Sequence, residues 1–151
     1  TMSENFGIND IEASVYLPVD TKTVTDTTTI KITNGPVKIK LEADPLNIKA
    51  STSNYSTITV SLIDATGQTL KKKDIFADVA INFSVFGEGN LSTYTITIPF
   101  ITGGTGGEEE ASGTITLNST GNPGLAIVVA TASDLESDRT DVRFLGPPVA
   151  V

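Results

Sequence analysis

The chain has 151 residues, enough for one good hydrophobic core and a fragment of a second but short of two ordinary domains. It contains no cysteine, no histidine and no tryptophan, which removes Ser-His-Asp and Cys-His nucleophile pairs, thiolate or imidazole zinc sites and redox thiols. Its net charge of −8 argues against a phosphate-neutralising nucleic-acid surface, which needs a dominant basic patch.

No stretch approaches the roughly 20 apolar residues of a membrane-spanning helix, and Thr1-Met2-Ser3-Glu4 lacks the basic and apolar regions of a signal peptide. Threonine, serine, valine and isoleucine abound and apolar residues recur with period two, so strands are expected throughout. The first candidates are 13–17 and 27–32, separated by Pro18-Val19-Asp20-Thr21. Val37, Ile39 and Leu41 then alternate with lysine and glutamate until Asp44-Pro45 breaks the strand, and 46–49 continues it. In 57–63, Ile58, Val60 and Leu62 face one way and Thr57, Thr59 and Ser61 the other. After the polar turn Asp64-Ala65-Thr66-Gly67-Gln68, Val79, Ile81, Phe83 and Val85 define a central strand.

Gly87-Glu88-Gly89-Asn90 turns the chain, 94–98 alternates again, and 102–107 reads as a glycine-rich tip leading to Glu108-Glu109-Glu110. Strands follow at 113–117, at the nearly continuous apolar run 125–132 after the Asn122-Pro123-Gly124 turn, and at 141–145. This strand count fits an all-β, immunoglobulin-like Greek-key β-sandwich with two extra N-terminal strands. The expected shared core holds Val60, Leu62, Ile81, Phe83, Val85, Ile127 and Val129.

Two similar junctions bracket the sandwich: Gly35-Pro36-Val37-Lys38-Ile39, and Gly146-Pro147-Pro148-Val149-Ala150-Val151 at the end. Proline fixes φ and withholds a backbone donor, which suits a short linker between β-modules. The expected division is 1–34 as an N-terminal strand appendage, 35–148 as the sandwich and 149–151 as a following linker or C-terminal end. The appendage can be laid over 125–148 as the last two strands of a preceding module. Because an isolated hairpin is marginal in water, its strands are expected to pack either on the sandwich's own sheets or on a neighbouring subunit by strand donation.

From Val37 to Leu145 the chain resembles bacterial immunoglobulin-like domains of the invasin/intimin type. The resemblance rests on IKLEADPLNIKAS (39–51), STITVSLIDATGQTL (56–70), ADVAINFSVFGEGNLS (77–92) and GTITLNSTGNPGLAIVVATAS (113–133), in that order; 94–111 departs from it as an inserted strand and loop. Such a resemblance implies a tandem-repeat spacer of an extracellular surface protein, adhesin, pilus or filament. It implies neighbouring modules or subunits and a host or cell-surface ligand as partners, and it brings no catalytic residues.

Candidate sites each have a plainer reading beside them. Asp134, Glu136, Asp138 and Asp141 have a spacing that could offer oxygens to calcium, which takes six to eight; the plainer reading is a charged hairpin end. Glu108, Glu109 and Glu110 cannot all point at one ion, and a solvated tip is the better reading. Lys71-Lys72-Lys73 could meet an anionic glycan or lipid headgroup, although a net acidic chain favours a solvated turn. Asn54, Asn82, Asn90 and Asn118 begin glycosylation-type triplets, with Asn82 expected to point outward. A carbohydrate-binding sandwich is the rival function, but such sites need aromatic platforms and the chain offers only Tyr16, Tyr55 and Tyr94 beside six phenylalanines.

Overall fold

The computed structural model describes residues 7–17, 22–32 and 35–148, with 7–17 and 22–32 described by their backbone alone. The chain divides into two compact units, Thr1–Asn34 and Gly35–Val151. In the first, β1 (Gly7–Leu17) and β2 (Lys22–Ile32) pair antiparallel in unbroken register from Gly7 opposite Ile32 to Leu17 opposite Lys22. Both strands begin well before the apolar alternation does; in β2 the added residues 22–26 include two threonines and a valine, which favour extended backbone even where no core pattern marks them. Residues 149–151, assigned above to a linker, lie outside the described residues.

The second unit is a β-sandwich. Its strands are β3 (Lys38–Asp44), β4 (Asn47–Lys49), β5 (Tyr55–Ile63), β6 (Val79–Gly87), β7 (Asn90–Leu91), β8 (Thr95–Ile98), β9 (Ser112–Asn118), β10 (Gly124–Thr131) and β11 (Asp138–Leu145). One sheet has the order β4-β11-β10-β6-β8 and the other β3-β5-β9-β7. The glycine-rich tip forms a single helical turn, α1 (Gly104–Glu108), rather than the loop its composition suggests. The two-residue β7 is too short to leave any period in the sequence.

The core lies between the sheets, with Ile39, Ile58, Val60, Leu62, Ile81, Leu117, Val128 and Val142 fully buried. Val60, Leu62, Ile81 and Phe83 are buried as expected, and Val85 packs half-buried against them. Ile127 and Val129 are not core residues: β10 turns Ala126, Val128 and Ala130 inward instead. A strand that is apolar at nearly every position has no period to say which face is inner, and a slip of one residue exchanges the faces. Small alanines suit the inner face there, because the ladder sets Ala130 opposite the large inward Phe83.

Between β3 and β4 the chain passes from one sheet to the other. Proline at position 45 supplies no N–H, and its carbonyl is taken by the Ser56 hydroxyl at 2.8 Å, which satisfies a fully buried serine. Beyond the crossing, β4 pairs with β11 in parallel, Asn47 opposite Arg143 and Lys49 opposite Leu145. At the other end of this run the Glu136 backbone accepts from Ile39 N at 2.9 Å and donates to Val37 O at 3.0 Å. The Asp138 carboxylate accepts from Leu41 N at 2.8 Å. The first and last strands of the sandwich are thus tied side by side and run in the same direction.

Candidate functional site

The acidic and basic runs find each other. The turn at 71–75 and the segment 101–111 are joined by backbone bonds from Lys72 N to Glu109 O and from Ala111 N to Leu70 O, at 2.9 and 2.7 Å. That pairing sets the Lys71 ammonium 2.6 Å from Glu108 and the Lys72 ammonium 2.5 Å from Glu109, and brings Lys73 onto Glu108 as well. Hydrogen bonds from Lys71 and Lys73 hold the Glu108 carboxyl down at about 2, and the bond to Glu108 pushes the Lys73 ammonium up. Glu108 and Glu109 are therefore engaged by cations, and the lysines are not a free patch for an anionic glycan or headgroup. The 35-residue separation of the runs hides this pairing from any local reading.

The four carboxylates proposed for calcium are not brought together. Asp138 points inward and caps the β3 backbone, whereas Asp141 faces outward three residues on, 3.8 Å from Arg139. Glu136 takes part through its backbone, and Asp134 sits exposed at a positive φ of 61° in the turn before it. Among the described residues no group of three or more carboxylates is placed to hold a metal ion. Two shallow clefts, one lined by Val129, Ser137, Asp138 and Arg139 and the other by Asp78, Val79, Ala80 and Ser133, each hold a single carboxylate. Neither offers the paired groups that acid–base chemistry uses.

Tyr55 and Tyr94 are both about half exposed, but Tyr55 begins β5 in the four-stranded sheet and Tyr94 precedes β8 in the other. They form no common platform, and Tyr16 lies in β1, where the backbone alone is described. Of the asparagines, Asn82 points outward from β6 as expected and accepts from the Thr95 hydroxyl at 3.0 Å. Asn90 is exposed, while Asn54 and Asn118 are half-buried. Asn54 donates to Lys49 O at 2.9 Å.

The two outer faces differ sharply. On the four-stranded sheet, Thr57 opposes Thr116 and Thr59 opposes Thr114, with Ser61 opposite Ser112. The five-stranded sheet instead presents Leu125, Ile127 and Val129 of β10 between Phe86 of β6 and the charged row Arg139, Asp141 and Arg143 of β11. Phe86 is 59% and Leu125 44% exposed.

Two antiparallel-dominated sheets packed face to face around a period-two core define the second unit as an immunoglobulin-like β-sandwich. No family model matches the chain, and no curated protein does. Solved structures do. A β-glucuronidase from glycoside hydrolase family 2 superposes with a TM-score of 0.62 at 16% identity, over 97% of this chain and 15% of that one. A family 2 glycosyl hydrolase from Bacteroides cellulosilyticus gives 0.61 at 20% identity, over 93% of this chain and 18% of that one. The D00-D0 domain of intimin gives 0.53 at 18% identity, over 93% of this chain and 66% of that one. At these identities the likeness is one of fold, the sandwich that intimin domains share, and this chain spans 18% or less of either hydrolase.

Proposed function

We propose that the chain is a non-catalytic structural module of an extracellular surface protein, acting as a spacer that holds its neighbours apart. The observation that carries this reading is the direction of the terminal strands. The sandwich begins beside Glu136 and ends beside Lys49, and the nine steps from residue 136 to residue 145 rise about 3.3 Å each, so its two ends stand roughly 30 Å apart. Many domains bring their ends close together; one whose ends lie at opposite poles gains length with each repeat. The intimin domain, which has the same fold, supports this reading.

Tension applied at the two poles pulls β3 and β4 one way and β11 the other. The parallel bonds at Arg143 N to Leu46 O and Ala50 N to Leu145 O, each 2.8 Å, and those at Glu136 are then loaded together in shear rather than one after another. The hairpin β1–β2 followed by Gly35-Pro36 repeats the order of β10–β11 followed by Gly146-Pro147-Pro148. That repetition supports reading 1–34 as the closing hairpin of another such module.

Because the chain has no cysteine, pulling handles can be placed at will in a single-molecule force experiment. Handles at Val37→Cys and Pro148→Cys load the sandwich in shear; handles at Pro123→Cys and Pro148→Cys peel β11 from β10. The spacer reading expects a clearly higher unfolding force in the first geometry. Equal or lower force there would sink it.

A further inference from the structure

We propose that the outer face of the five-stranded sheet is a self-association surface on which a second copy of this chain docks face to face. This proposal does not rest on the spacer reading, since a module of any role would present the same face.

Phe86 and Leu125 stand exposed on that face beside the half-buried Ile127, opposite which Phe86 sits in register. Solitary exposed apolar residues are ordinary, but a contiguous group framed by charged residues marks an interaction surface. The other sheet contrasts with it: between β5 and β9 its outer face carries threonines and serines in facing pairs.

The occupant follows from charge. Lys49, Arg139 and Arg143 against Asp141 give this face a charge of +2, so what favours a second copy here is the order of the charges and not their sum. Along β11 the outward residues read Arg139, Asp141, Arg143. Such a plus-minus-plus row complements itself when two copies meet antiparallel and offset by one step. A two-fold axis lying in the interface and crossing β11 at Val142 sets Arg143 of each copy on Asp141 of the other. It also sets Leu125 of each on Ile127 of the other, because these are their register partners in the same rows. The contact is then isologous and closes as a dimer, with apolar side chains at its centre and two Arg–carboxylate pairs beside them.

The test is sedimentation of the full chain from micromolar to millimolar concentration, with thermal unfolding of each variant to confirm its fold. The wild type is expected to shift from the 15.8 kDa monomer towards a dimer as concentration rises. Arg143→Asp and Asp141→Arg should each weaken the dimer by at least about tenfold through like-charge contacts, and Phe86→Ser should abolish it. Combining Arg143→Asp with Asp141→Arg restores opposite charges across the axis and should return most of the affinity. A wild type that stays monomeric throughout, a dimer indifferent to these changes, or a double variant as weak as the singles would overturn the proposal.

Discussion

Strands β5 and β10 sit in opposite sheets and were written in opposite ways. In β5 every outward position between the ends is Thr or Ser and every inward one Ile, Val or Leu apart from Ser56. In β10 both faces are apolar: Ala126, Val128 and Ala130 inward, Leu125, Ile127 and Val129 outward. A strand built to be solvated on one face advertises its orientation, whereas a strand apolar on both faces conceals it and leaves apolar surface at the exterior. The difference teaches where apolar side chains are held for folding and where they are spare.

The sharpest break in that comparison comes from the inner face. Phe144→Ala, at a fully buried ring on β11, should cost about 3–5 kcal/mol, measured by denaturant unfolding. Gly87→Ala should cost about 3 kcal/mol or somewhat less: φ there is +89°, and an added Cβ would lie 2.1 Å from the Leu125 carbonyl oxygen, wedging β6 from β10. The neighbours Val128 and Val129 then separate the two faces directly. Val128→Ala should lose about 2 kcal/mol and Val129→Ala well under 1, and the reverse order of losses would mean that β10 is turned the other way.

A smaller effect, about 1 kcal/mol, is expected from Asp64→Ala by analogy with a lost capping carboxylate. Its Oδ1 takes the Thr66 hydroxyl at 2.6 Å and the Thr66 and Gln68 amides at 2.8 and 3.0 Å. The Thr66 hydroxyl, then the Gln68 amide, hold the Asp64 carboxyl below its ordinary range. A folded pKa below the unfolded one stabilises the protein above the unfolded value and loses that contribution as pH falls through the folded one. The wild type should therefore lose its advantage over Asp64→Ala below about pH 4. The smallest effect belongs to Glu108→Gln, for the lysine pairs are exposed and screened. Melting should barely change, while carbon-detected titration should find the Glu108 carboxyl near 2 and see it rise when Lys71 and Lys73 are replaced by alanine.

Where the sequence alternated, it was legible: β5 and β6 appear with the faces that Val60 and Ile81 announce, and β9 appears where 113–117 was expected to be a strand. Strand β10 was located but turned over, since Ile127 and Val129 offer the same hydrophobicity as their neighbours. The candidate sites were less legible because they depend on what the fold brings together. Lys73 meets Glu108 across 35 positions, and Asp138 spends its carboxylate on the backbone of Leu41. The apolar outer face was present in the sequence as surplus hydrophobicity in 125–132, a signal that names an exposed surface only once the inner face is known.

The contacts of Glu136 and Asp138 with β3 have a consequence for the behaviour of many such modules in one place. They occupy Ile39 N and Leu41 N on the free side of the long strand β3, and the remaining edge strands, β4, β7 and β8, have three, two and four residues. An open edge is a template on which foreign strands add and aggregates grow. With its long edge plugged and its others brief, this sandwich offers foreign strands no long open edge, so a high local density of it should not seed cross-β polymers.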